Sequence, residues 1–169
     1  IPNMLFGELW YEGEICILFA DTNLGKSILA VQIGDSISKG RKIPYFKFEA
    51  KKQVVVYFDF ELSDKQFEAR YSNNYKNHYL FEDSFFRSEI SADNETNINT
   101  KFEDLLKESI ESTIKEKNPS VLIIDNITFM HNEIEESKHA ALLMKYLKDL
   151  GRKYNLSILV IAHTPKRDL

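Results

Sequence analysis

Gly25, Lys26 and Ser27 stand side by side at the end of the run Ala20-Asp21-Thr22-Asn23-Leu24. The whole stretch follows the pattern G-x-x-x-x-G-K-[ST], with alanine at the position of the first glycine. That spacing does the chemistry of phosphate binding. Successive backbone N–H groups in such a loop converge on anionic oxygens. The positive end of a following helix adds to the attraction. Lys26 supplies a compact cation for the terminal phosphates, and the Ser27 hydroxyl a hard ligand for magnesium. Gly25 lets the backbone approach a phosphate without a side chain in the way. Alanine at position 20 is the least demanding replacement there, provided its φ stays negative.

Three further positions bear titratable groups of the right type. Asp125 directly follows the apolar run Val121-Leu122-Ile123-Ile124. A carboxylate at the end of a buried strand is the second half of a nucleotide–magnesium site, holding a water on the metal that Ser27 also binds. Glu61 follows Gln53–Phe60 and is the candidate base that orients a water toward the γ-phosphate. A plainer reading makes Glu61 a carboxylate at a helix start, favoured by the helix dipole. Asp59, two residues earlier, faces the same side but deeper. His163 follows the apolar run Ser157–Ala162 and is placed to donate a hydrogen bond to the γ-phosphate and register its loss. Lys166 and Arg167 read as solvated. His78, His131 and His139 have no metal-ligand spacing with one another or with a cysteine.

These positions need a scaffold that brings strand ends together, and the rest of the chain supplies one. Ile15–Phe19 reads as a short strand, apolar on both faces, and a helix begins near Lys26 and carries Ile28, Leu29, Val31 and Ile33. Gly40 to Pro44 stops that helix. Gln53–Phe60 reads as a buried strand, Ser63-Asp64 as the cap of a helix over about 65–73, and Phe85–Ile90 as a short strand. Residues 91–99 are polar and loop-like. Phe102, Leu105, Leu106, Ile110 and Ile114 recur at helical spacing, Asn118-Pro119 ends that helix, and 139–154 is amphipathic through Leu142, Leu143, Tyr146, Leu147 and Leu150. Strands alternating with helices imply a parallel sheet covered by helices. The carboxyl ends of its strands share one edge, where a ligand sits. The loop, Glu61, Asp125 and His163 all fall at such ends.

The 169 residues are 43% hydrophobic and 28% charged, enough to bury the core of one domain. The formal net charge of −4 gives no global pull toward nucleic acid or anionic membrane. Arg41, Lys42, Lys47, Lys51 and Lys52 form a local basic stretch around Tyr45 and Phe46. It reads as a solvated turn whose aromatics close the sheet edge rather than as a track for a phosphate backbone. Cys16 is the single cysteine, so no disulfide framework exists, in keeping with a reducing cytoplasm. No apolar stretch has membrane-spanning length.

In their order along the chain, Gly13-Glu14-Ile15, Leu24-Gly25-Lys26-Ser27, Phe58-Asp59-Phe60-Glu61, Ile123-Ile124-Asp125-Asn126 and Ile161-Ala162-His163-Thr164 resemble the motifs of RecA-like P-loop ATPases. The similarity is greatest to the branch with plasmid RepA-type and DnaB-type hexameric helicases. It implies a three-layer RecA-like core over residues 1–169, with the magnesium aspartate at Asp125 and the sensor at His163. It implies a catalytic glutamate on the strand after the first helix, which is Glu61. Asn126 after Asp125 departs from the AAA+ and ABC pattern, which has glutamate there. The resemblance further implies ATP and Mg2+ as cofactors, a homo-oligomeric ring, a single-stranded DNA partner and a cytoplasmic location. The alternative is a nucleotide-dependent switch or assembly ATPase that never unwinds DNA. Further strands and a finger reaching into a neighbour's site normally follow the sensor, so the expectation is a core truncated at its C-terminus, with its last strand beside uncovered surface.

Overall fold

The structure, a computed structural model, describes residues 1–20, 25–90, 100–128 and 133–163; within them the side chains of 20, 100–106, 127–128, 133–137, 139–140 and 163 lie outside the description. In chain order the elements are β1 (Met4–Phe6), β2 (Trp10–Tyr11), β3 (Ile15–Ala20), α1 (Lys26–Lys39), β4 (Val55–Asp59) and α2 (Asp64–Arg70). They continue with β5 (Phe85–Glu89), α3 (Thr100–Lys117), β6 (Val121–Thr128), α4 (Glu133–Tyr154) and β7 (Ser157–His163). Among the described residues the main sheet has five strands in the order β3-β7-β6-β4-β5, all parallel.

Strand alternation divides the core in two. Val55 and Tyr57 of β4, Val121 and Ile123 of β6, and Leu159 and Ile161 of β7 face α1, meeting Ala30, Val31, Ile33 and Ile37. The intervening Val56 and Phe58, Leu122 and Ile124, and Ile158 and Val160 face the other helices, meeting Ile110 and Ile114 of α3 and Leu147 and Leu150 of α4. Strands buried on both faces cannot alternate apolar with polar residues, so their sequences read as continuous apolar runs. The result is the expected three-layer α/β core.

Local signals set the ends of the helices. Gly40 takes a left-handed φ of 68° at the end of α1, and its N–H and that of Arg41 return to Ile37 and Ser36. Ser63 caps α2 in a capping box: its side chain accepts from the Gln66 N–H, and the Gln66 side chain accepts from the Ser63 N–H. Midway along α1, Gly34 lies against the sheet. A Cβ there would come 2.7 Å from Phe85 Cε2 and 3.0 Å from Ile123 Cδ1.

Three features differ from expectation. The antiparallel pair β1–β2 has no signal in periodicity because its strands are only 3 and 2 residues long. It nevertheless carries Leu5, Phe6 and Trp10 into the α1-side core. Tyr45 does not close a sheet edge: it is fully exposed, while Phe46 stacks on Phe6 at 4.2 Å. The last strand, β7, is not beside uncovered surface, since it runs between β3 and β6. Among the described residues the sheet edges are β3 and β5, which leaves β3 half-buried and Phe19 exposed. Among the described residues no helix is long and apolar enough to cross a membrane.

The close approach at Gly34 yields a stability prediction. Gly34→Val should lower stability by about 1–3 kcal/mol, because overpacking outweighs the gain in helix propensity. Chemical denaturation of the two proteins measures it, and an unchanged midpoint would show that Phe85 moves aside freely.

Candidate active site

The carboxyl ends of β3, β7, β6 and β4 lie next to one another in the sheet, and register shows which residues meet. Ala20 pairs with His163, Asp125 with Ile161, and Asp59 with Asp125. α1 starts beside this edge with Gly25 in the left-handed region at φ 78°. That conformation is strained for any residue with a Cβ. Lys26 is buried, and its Nζ donates to the Ala162 carbonyl at 3.5 Å. The loop lysine therefore lies over the end of β7, next to the backbone of His163. Asp21, Thr22, Asn23 and Leu24 lie outside the described residues, as do the side chains of Ala20 and His163.

Asp59 and Asp125 are neighbours in register and are 2% and 1% exposed. Burial of a carboxylate is costly unless hydrogen bonds or a cation compensate. Asp59 is fully engaged. Its Oδ1 accepts the N–H groups of Glu61 and Leu62, both at 2.9 Å. Its Oδ2 faces the Arg87 guanidinium, with Nε and Nη2 each at 3.0 Å. Asp125 is different. The Tyr57 hydroxyl donates to Oδ2, and the Ser27 side chain is close enough to the carboxyl to favour its ionised form. Among the described residues Oδ1 is buried without a hydrogen-bond partner. Among the described residues Asp125 forms no ion pair.

The electrostatic consequence is specific. Burial raises the Asp125 carboxyl above the ordinary carboxylate range, against the lowering effect of Tyr57 and Ser27. Burial and the neighbouring Asp125 charge push the Tyr57 phenol far above its usual value, so it stays a donor.

Glu61 follows β4 by two residues and is exposed. Its carboxylate is reached from the adjacent strand, where Asn126 Nδ2 donates to Oε1. The β6–β7 register accounts for that reach. Asp125 pairs with Ile161 and Ile127 with Ala162, so Asn126 is the extra residue of a bulge. A bulge re-aims the side chain it carries, and bulges are common beside active sites. The Phe60 N–H donates to the Asp125 carbonyl at 2.6 Å, which ties the start of the Glu61 loop to β6.

Four of the sequence candidates thus meet at one edge: Lys26, Ser27, Glu61 and Asp125. Sequence reasoning did not assign roles to Tyr57, Arg87 and Asn126. Tyr57 lies in a segment that read as a buried strand and Arg87 in one that read simply as a short strand, and their partners lie far away in sequence. A buried arginine in a short strand was the available signal for Arg87, since such a cation needs a carboxylate.

Magnesium suits these donors. Asp125 offers a buried, unpartnered oxygen and Ser27 a hydroxyl beside it, both hard ligands. Among the described residues no group of three or more His, Cys, Asp or Glu is placed to hold a metal ion. An ion that keeps several waters and takes phosphate oxygens needs few protein ligands.

The sign of the Asp125 shift gives a pH prediction. A carboxyl raised by burial is held more favourably as the acid, so its ionisation removes stability as pH climbs from the ordinary carboxylate range through the folded value. Asp125→Asn lacks this titration. Without ligands, the asparagine protein should lose less stability than the parent between acid and neutral pH and melt no lower at neutral pH. Thermal melts across that range check it; a steeper loss in the variant would contradict the assignment.

Comparison with known proteins gives the family and the fold. The family AAA_25, described as an AAA domain, matches residues 1–168. Among solved structures, the KaiC-like protein PH0186 from the hyperthermophilic archaeon Pyrococcus horikoshii OT3 is similar, with a TM-score of 0.55 at 15% identity over 94% of this chain and 66% of that one. This chain spans just under two thirds of that protein's length. A search of curated proteins found no match. These matches support the RecA-like P-loop core; they do not reach the narrower RepA and DnaB branch. The chain belongs to the AAA_25 family of AAA domains and has a RecA-like α/β fold.

Proposed function

We propose that the carboxyl edge of the sheet binds ATP with magnesium and hydrolyses it. The observation that carries this reading is the convergence there of the loop lysine and serine with two differently treated acidic groups, one buried and under-compensated, the other exposed. The amides of residues 20–27 and the Lys26 ammonium hold the phosphates. Ser27 and Asp125 would hold the magnesium, which would supply positive charge against the phosphates. Glu61 accepts the proton of the attacking water and aims its oxygen at the γ-phosphorus, while Asn126 steadies the carboxylate from β6. His163 donates to the γ-phosphate and changes partner when it leaves.

The larger setting we infer is a ring-forming DNA helicase or replication ATPase of the cytoplasm, with a neighbouring subunit completing each site and single-stranded DNA as partner. A second reading, a nucleotide-dependent switch or assembly ATPase, draws support from the net charge of −4, which gives no general attraction to nucleic acid. Stimulation of turnover by single-stranded DNA in the full-length protein supports the helicase; its absence supports the switch.

Two variants test the chemistry itself. Lys26→Ala should abolish measurable ATP affinity while leaving the melting transition cooperative. Glu61→Gln should bind ATP as the parent does and lose about 10²–10⁴-fold in turnover, the usual worth of a positioned base. Normal turnover in Glu61→Gln would return Glu61 to the role of a carboxylate at a helix start.

A further inference from the structure

Arg87 stands on β5, outside the phosphate loop and away from the other proposed site residues in sequence, yet all three of its nitrogens are engaged. Nε and Nη2 each lie 3.0 Å from Asp59 Oδ2. Nη2 also donates to the Leu62 carbonyl at 2.6 Å, and Nη1 to Asp64 Oδ1 at 2.6 Å. The guanidinium carbon sits 4.4 Å from the centre of the Phe67 ring. The side chains of Arg87 and Asp59 are 9% and 3% exposed, so their pairing is little screened, whereas Asp64 is 81% exposed.

These contacts all converge on one short segment. Asp59 Oδ1 takes the N–H groups of Glu61 and Leu62, and Arg87 takes the carbonyl of Leu62. The peptide groups on both sides of Leu62 are therefore tied to a single buried ion pair. β4 and β5 do not need it, because they are already paired in register from Val55↔Phe85 to Asp59↔Glu89. What the pair adds is a fixed path for the chain between β4 and α2, and Glu61 is the residue on that path. The proposed attack on the γ-phosphate requires its carboxylate to be held within a fraction of an ångström.

We propose that Arg87 is a positioning residue for ATP hydrolysis, acting through Asp59 and Leu62 on Glu61. The inference rests on the reading of Glu61 given above. Lysine cannot replace the arginine, since an ammonium lacks the planar fork that reaches a carboxylate and a carbonyl together.

The test uses the full-length protein with Arg87→Lys and Arg87→Gln, each alone and combined with Glu61→Gln. Turnover, KM for ATP and equilibrium ATP affinity are measured. Each single Arg87 variant should lose roughly 10- to 100-fold in kcat with ATP affinity preserved, and neither should slow the residual rate of Glu61→Gln any further. Should Arg87→Gln fail to fold, Arg87→Lys keeps a cation opposite Asp59 and carries the test. An equal fractional loss in the Glu61→Gln background, or a parallel loss of ATP affinity, would make Arg87 a general structural residue and overturn the proposal. Parent-like kcat in Arg87→Lys beside an inactive Glu61→Gln would overturn this assignment alone. Parent-like turnover in Glu61→Gln would overturn both.

Discussion

Two buried carboxylates in register on adjacent strands, Asp59 and Asp125, are the constraint on which the site depends. Side by side they are treated differently, and the Asp59 charge adds to the cost of ionising Asp125. Asp59 is compensated within the protein by Arg87 and by two backbone N–H groups. Asp125 is compensated in part, by Tyr57 and Ser27, and among the described residues one oxygen is left buried without a partner. One carboxylate thus organises the backbone, while the other is left in want of positive charge. A buried acid kept in that condition is a standing cost to the ligand-free fold, and a divalent cation relieves it.

The surrounding elements are arranged by this division of labour. β4 and β6 must run parallel and in register for the two acids to meet. The α1-side core, filled by Tyr57, Ile123, Ile161 and the first turns of α1, brings Ser27 to Asp125. Tyr57 serves both packing and chemistry: its ring fills that core and its hydroxyl occupies one oxygen of Asp125, leaving the other open. The bulge at Asn126 sends a side chain across to Glu61, so the exposed carboxylate is steadied at its head by β6 and at its backbone by Asp59.

Much of this was legible in the sequence because the signals are local. Apolar runs marked the buried strands, Gly40 and Ser63 marked helix ends, and Gly25-Lys26-Ser27 marked the loop. Placing Glu61 just past β4 and Asp125 near the carboxyl edge followed from the rule that parallel strands share such an edge, but β6 runs on past Asp125 to Thr128, so that aspartate lies within its strand rather than at its end. The contacts that distinguish one carboxylate from the other were not legible, since they join residues 28 and 68 positions apart, Arg87 to Asp59 and Tyr57 to Asp125. Strand order decided which edge stays open among the described residues: β7 was inserted between β3 and β6 rather than added outside them. The β1–β2 pair was too short to show a period, and Tyr45 was misjudged because a turn residue's exposure depends on what packs above it.

The central claim is that Asp125 is left under-compensated so that magnesium and ATP bind together. Calorimetric titration of ATP into the parent and Asp125→Asn proteins, with magnesium and with a chelator, tests it most directly. The account predicts that magnesium strengthens ATP binding to the parent and adds little for Asp125→Asn, with both proteins alike in chelator. An equal magnesium enhancement in the two proteins would contradict it.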